Sequence, residues 1–198
     1  MRFYVRSARR PKILGVLAGS FNPPTIAHQE LVYAAGLQVE EVLCVVPSVL
    51  PHKEYFGATL EQRLEMLAAS ELAESTSIAT SEKGLFIDIA RECRDQYGAD
   101  TQIRFICGRD AAERILTWDY GRPGVVEAML QEFELMVAER GGEFESPPEF
   151  RHRVHPLDLR VAQDEVSSTQ VRERITCGQP WEHLVPKAIV ERVREIYS

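Results

Sequence analysis

The sequence predicts an α/β fold, a Rossmann-like architecture with a central parallel sheet and helices on both faces, and two observations predict it. Apolar runs of strand length alternate with longer stretches of helical periodicity, the order that parallel strands joined by helical crossovers require. A chain of 198 residues with 44% hydrophobic content can close one sizeable core, and it holds neither an internal repeat nor a linker long enough to separate a pair of domains. A single domain over 1–198 is expected.

The clearest strands are Ile13–Gly19, Glu41–Pro47, Ile103–Cys107 and Glu134–Ala138, with fainter ones at Ser77–Thr80 and Leu157–Ala162. Helical periodicity covers about Ile26–Leu37, Leu60–Ala73, Ile87–Tyr97, Asp110–Leu116 and Gly124–Glu132. The end of the chain breaks the alternation. Ser168–Cys177, stopped by Gly178 and Pro180, and Val185–Tyr197, with Ile189, Val193 and Ile196 on one face, predict two closing helices over about 168–198. Gly141 to Pro148 reads as a loop, and the Arg-rich, acid-free start MRFYVRSARRPK as a frayed or sheet-edge segment.

A formal charge of -7 and a pI near 5.3, with no stripe of Lys and Arg interleaved with aromatics, give nucleic acid no footprint. No run approaches the roughly 20 apolar residues of a membrane span. Cys44, Cys93, Cys107 and Cys177 are widely spaced and form no CxxC pair, so they are expected to be reduced core thiols of a cytoplasmic protein. His152-Arg153-Val154-His155 lacks acids at ligand spacing and is expected to be a solvated lead-in to a strand, so no protein-held metal is expected.

The chemistry concentrates in two segments. The strand ending at Ala18 runs through Gly19-Ser20 to a helix start marked by Pro23-Pro24, where proline is tolerated because the first amides of a helix are unsatisfied in any case. That helix start faces the sheet edge where α/β folds bind ligands, and its amides favour anions such as phosphate. Thr25 and His28 share a helical face and are expected to point at one bound anion. Spacing alone fits a plain strand-to-helix turn with a cap and a surface histidine equally well. Near the other end, Ser167 and Gln170 are placed like a capping box, Ser168 and Thr169 add hydroxyls, and Arg172 lies one turn further in, where its planar fork suits phosphate.

Gly19-Ser20-Phe21-Asn22-Pro23-Pro24-Thr25-Ile26-Ala27-His28 resembles the first signature of the nucleotidyltransferase superfamily, and Val166-Ser167-Ser168-Thr169-Gln170-Val171-Arg172 resembles its second. Pro51-His52-Lys53, Arg63-Leu64-Glu65-Met66, Phe105-Ile106-Cys107-Gly108-Arg109-Asp110, Trp118 and Leu184-Val185-Pro186 are similar to the nicotinate or nicotinamide mononucleotide adenylyltransferases of that superfamily. The resemblance implies ATP binding by Gly19, Ser20, Phe21, Thr25, His28, Gly108, Asp110, Ser167, Ser168, Thr169 and Arg172. It implies catalytic roles for His28, Lys53 and Arg172, and acceptor binding by Asn22, Lys53 and Trp118, and Phe86 of the corresponding segment is expected to join them at the acceptor. The chain departs from the family around Leu85-Phe86-Ile87-Asp88, where the family shows a Ser-Tyr-Thr-x-Asp-Thr-Leu run, and at Arg140-Gly141-Gly142. The departure leaves open another phosphorylated acceptor, such as phosphopantetheine, CTP as donor, or nucleotide binding without turnover.

The implied reaction is attack of a mononucleotide phosphate on the α-phosphorus of ATP. The nucleophile is already anionic, so positioning and electrostatics suffice without a general base, and Mg²⁺ is expected to arrive with the ATP phosphates. A helix start disfavours a histidine cation by roughly 0.3–1 kcal/mol. A phosphate at about 4 Å offers up to roughly 4 kcal/mol the other way, so His28 is expected to be protonated once ATP binds.

Overall fold

The computed structural model describes residues 1–7, 10–48, 57–138, 144–161 and 166–197. In chain order the elements are β1 (Arg2–Val5), β2 (Ile13–Ala18), α1 (Ile26–Gly36), β3 (Glu41–Pro47), α2 (Leu60–Ala68), β4 (Thr76–Ser81), α3 (Phe86–Tyr97), β5 (Gln102–Gly108), α4 (Arg109–Thr117), α5 (Val125–Glu132), β6 (Glu134–Ala138), β7 (Val154–Leu157), α6 (Ser168–Thr176) and α7 (Val190–Tyr197). Short 3-10 turns occupy Pro148–Arg153, Glu182–Leu184 and Lys187–Ile189.

The strands form one sheet in the order β1-β4-β3-β2-β5-β6-β7, parallel throughout except for β1, which lies antiparallel on β4. The expected Rossmann-like sheet is present, and the basic N-terminal stretch supplies its edge. Side chains alternate across the sheet as a two-residue period demands. Leu14, Val16, Leu43, Val45, Phe105 and Leu135 pack with Ile89, Leu116 and Leu130 of α3, α4 and α5 on one face. Leu17, Val42, Cys44, Val46, Ile106 and Met136 pack with Leu31, Ala35, Leu64 and Leu67 of α1 and α2 on the other. Both faces being covered explains why β3 is buried at every position. Gly15 permits a close approach: a Cβ there would lie 3.1 Å from Val39 Cγ2 and 3.3 Å from Ile106 Cδ1.

The closing helices form a third cluster, in which Val171, Trp181, Leu184, Ile189 and Val193 bury themselves with Ala58 and Met66 of the α2 region. This packing fixes α6 and α7 against the α2 region. The single helix expected over Val185–Tyr197 is instead a 3-10 turn after Pro186 followed by α7. The helix expected to reach Ala73 stops at Ala68: Ser70 Oγ turns back onto Met66 O at 2.7 Å, and Glu71 adopts φ 52.

The strand expected at Leu157–Ala162 runs over Val154–Leu157, and the lead-in before it is not simply solvated. The cause is Glu134, the first residue of β6, which is 5% exposed and must find cations. Arg104 Nε and Arg153 Nη1 each lie 3.1 Å from its carboxylate, and His155 Nε2 lies 2.6 Å away. These contacts draw the segment onto β6, and the edge position tolerates Pro156. Beyond Leu157 the chain leaves the sheet, and Arg160 bridges to Glu30 at 3.0 Å while its guanidinium stacks on Tyr33.

Burial pushes the Cys44, Cys93 and Cys107 thiols up to about 12, as expected of inert core cysteines, whereas Cys177 is exposed at the end of α6 and is no core thiol. Among the described residues, no helix is long and apolar enough to cross a membrane.

Burial opposes ionisation of Glu134, yet hydrogen bonds from His155 and Gln102 and the charges of His155 and Arg104 hold its carboxyl below the ordinary 4.5. A depressed folded-state value stabilises the fold above the unfolded value and is lost as pH falls through the folded one. Urea unfolding should therefore show stability declining below pH 4.5. In Glu134→Gln that acid slope should flatten, with stability near pH 7 lower by about 2 kcal/mol.

Candidate active site

Strands β2, β3 and β4 build outward in one direction and β5, β6 and β7 in the other, so the order reverses between β2 and β5. A crevice must open at such a reversal, because the helices that follow the two strands leave on opposite faces. There lies a cleft of about 450 Å³, within the usual range for small-molecule sites. The β2–α1 turn, Phe86 of α3, Ile106 to Gly108 of β5, Ala111 of α4 and the start of α6 line it.

The turn is built by satisfying its own backbone. Gly19 N–H donates to Val45 O at 3.0 Å, which continues the β2–β3 ladder and removes that amide from ligand binding. Phe21 then takes the left-handed conformation, φ 47, and buries its ring completely against His28 at 4.9 Å between centroids. The Asn22–Pro23 peptide bond is cis. The carbonyls that follow point away from any strand or helix ladder and take donors from distant elements. Arg63 Nη1 of α2 donates to Ser20 O at 3.0 Å, Ser168 Oγ to Pro23 O at 2.7 Å, and Arg172 Nη1 to Asn22 O. The two sequence signatures are thus joined by direct bonds.

At the start of α1, Thr25 is wholly buried and serves as N-cap. Its N–H donates to His28 Nδ1 at 3.0 Å, and its Oγ1 lies 2.8 Å from the same nitrogen. An Nδ1 that accepts from an amide carries no hydrogen, so the neutral ring holds its hydrogen on Nε2. Charging the ring would place a hydrogen on Nδ1 and break that bond. The geometry therefore fits a neutral, Nε2-protonated His28, whereas the expected cation belongs to the ATP-bound protein.

The structure gathers most of the expected residues but divides their tasks. Gly19, Ser20, Asn22, Thr25, His28, Phe86, Gly108, Ser167, Ser168, Thr169 and Arg172 all line the cleft. A Cβ on Gly108 would meet nothing within 4 Å, so this position opens onto space. Phe86 stacks on Phe105 at 4.1 Å and 7°, forming an aromatic wall where the sequence departs from the family pattern. The hydroxyls at α6 are committed locally: Ser167 Oγ accepts from Gln170 N at 3.1 Å, Ser168 holds Pro23, and Thr169 Oγ1 accepts from Arg172 Nη2 at 3.3 Å. Only one half of the expected capping box is made there.

Other expected residues are placed differently. Phe21 is core and presents no side chain to the cleft. Asn22 is 8% exposed, and its Oδ1 accepts from Ala58 N at 3.3 Å and from Tyr197 Oη, so its carboxamide oxygen holds the turn. Asp110 is exposed in the first turn of α4 and Trp118 is 60% exposed beyond that helix, both outside the cleft lining. Lys53 lies outside the described residues. Sequence reasoning matched the segment Arg63 to Met66 without giving Arg63 a task, and it missed Tyr197. Arg63, 1% exposed, left a signal: a charge three and four residues from Met66 and Leu67, on the apolar face of an amphipathic helix. Tyr197 left none.

Residues 16–174 match the family model described as cytidylyltransferase-like. A Thermus thermophilus protein named "Probable nicotinate-nucleotide adenylyltransferase" is 31% identical, the match covering 89% of this chain and 93% of that protein. The chain belongs to the cytidylyltransferase-like family, among the nicotinate-nucleotide adenylyltransferases. A protein of the same name from Moorella thermoacetica is 29% identical over 93% of this chain and 90% of its own length. The fold is similar to that of the Plasmodium falciparum nicotinic acid mononucleotide adenylyltransferase solved in complex with NaAD, with a TM-score of 0.67 at 18% identity and coverage of 91% and 95% of the two chains. The cytidylyltransferase-like match thus runs from within β2 into α6 and includes both signatures.

Nitrogen NMR on labelled histidine should show the Nε2–H tautomer at His28 near pH 7.5, with and without ATP; a doubly protonated ring in the ATP complex would refute the tautomer. His28→Ala should lower kcat by about 100-fold or more while ATP affinity, read by calorimetry, changes only a few-fold. Near-normal turnover would remove His28 from the catalytic role.

Proposed function

We propose that this chain transfers the adenylyl group of ATP to nicotinate mononucleotide, releasing pyrophosphate, in the cytoplasmic synthesis of NAD. One observation carries the reading: the turn after β2 and the start of α6 are bonded to each other through Ser168 and Arg172 at the reversal of strand order. His28 and Arg172 both line that cleft, whose volume of about 450 Å³ suits a nucleotide.

The chemistry needs little else. An oxygen of the acceptor phosphate attacks the α-phosphorus in line, and the bond to the bridging oxygen of pyrophosphate breaks. His28, donating from Nε2, and the Arg172 guanidinium are positioned to stabilise charge that builds on the phosphoryl oxygens. Lys53 is assigned to the same phosphates by its place in Pro51-His52-Lys53. Magnesium enters with the substrate, as MgATP. Among the described residues Cys107 is the one cysteine lining the cleft, and it is no rival nucleophile, since burial lifts its thiol up to about 12. Phe86, held by stacking on the buried Phe105, whose ring meets Phe133 edge-on at 5.0 Å, offers the acceptor ring an apolar surface.

Pyrophosphate release should be measured with ATP or CTP against nicotinate mononucleotide, nicotinamide mononucleotide and phosphopantetheine. Turnover with ATP and nicotinate mononucleotide exceeding every other pair by tenfold or more is expected. Activity confined to phosphopantetheine, or to CTP, would overturn the assignment.

A further inference from the structure

We infer that Tyr197, on the last helix and outside the family-matched segment, is a positioning residue that fixes the Arg172 guanidinium through Asn22. The inference rests on the adenylyl-transfer reading only for its kinetic arm. Three contacts carry it. Tyr197 Oη donates to Asn22 Oδ1, an oxygen that also takes the Ala58 N–H at 3.3 Å. Arg172 Nη1 donates to the backbone oxygen of the same Asn22. The Tyr197 ring rests on Gly57, where a Cβ would lie 2.7 Å from Cε1 and φ is +91, so that position is kept bare for the ring.

The physical consequence is a relay. Arg172 donates to Asn22 O and to Thr169 Oγ1, and the second acceptor belongs to its own helix and moves with it. The contact with Asn22 O therefore sets the guanidinium relative to the turn that faces the phosphates. Asn22 is itself located by its side chain, pinned from α7 by Tyr197 and from the approach to α2 by Ala58. Burial raises the Tyr197 phenol above its ordinary range, so it stays a donor throughout the physiological range. Removing that donor takes away the pin from α7, and the carbonyl beneath Arg172 gains freedom. Small misplacement of an electrostatic group costs rate more than binding.

Tyr197→Phe keeps the ring on Gly57 and removes only the hydroxyl. In the full chain, kcat should fall about tenfold with the KM values for ATP and acceptor within about twofold. In an Arg172→Ala background the same change should cost less than about twofold, because the two act through one contact. A merely structural role would lower Tm and leave kcat unchanged at temperatures where the protein stays folded. Wild-type kcat in Tyr197→Phe, or a tenfold loss that persists in full without Arg172, would overturn the inference. The side-chain Nε–H resonance of Arg172 supplies an arm that needs no turnover. It should shift in Tyr197→Phe, and an unmoved resonance would sink the relay. A wild-type chain inactive on every acceptor tried would count against the functional reading alone.

Discussion

Backbone oxygens that leave a β-strand and do not enter a helix must find donors or face burial unpaired, a cost of order 1–3 kcal/mol each. The oxygens of Ser20, Asn22 and Pro23 stand in that position, and their donors come from α2 and α6. The rest of the site depends on this constraint. Arg63 must be buried to reach Ser20, α6 must dock close enough for Ser168 to reach Pro23, and Arg172 is brought to the cleft by the same docking. What looks like a ligand-binding motif is largely a solution to the hydrogen-bonding problem of a tight turn. The cleft is what remains open once that problem is solved.

This division explains why the second signature works with so few side chains aimed at ligand. Ser168 and Thr169 spend their oxygens on Pro23 and Arg172, and Ser167 caps the helix. The α6 start thus offers a prearranged set of backbone amides and one guanidinium, groups that need no reorganisation when charge develops. A chain with net charge -7 repels a polyphosphate overall, and Arg172 is the fixed cation that the described cleft lining sets against that repulsion.

The sheet was legible in the sequence because its signal is one of composition. Runs such as Glu41–Pro47, buried at every position, can belong only to strands covered on both faces. The fainter run at Ser77–Thr80 proved to be a fully buried strand, β4, whose serine hydroxyls find partners inside the protein: Ser77 Oγ bonds Glu41 and Ser81 Oγ bonds Glu92, each at 2.6 Å. The last strand was misplaced because its position is set by a long-range electrostatic attraction to Glu134 rather than by local pattern. At the site, spacing along one helix identified Thr25 and His28, but not that they would bond each other and so fix a tautomer. Asp110 and Trp118 came from resemblance alone and sit outside the cleft. Tyr197 was invisible because its role arises only when α7 folds back over the turn.

The bonds that finish the turn span 145, 150 and 175 positions of the chain. Contacts so distant form late, since loop closure must be complete before they contribute. On a ribosome, where the N-terminal half emerges first, the sheet can assemble while the turn after β2 still has oxygens without donors. The first signature is therefore translated early and completed only when the second one docks on it. Until the closing helices dock, the oxygens of Asn22 and Pro23 lack the donors that α6 brings.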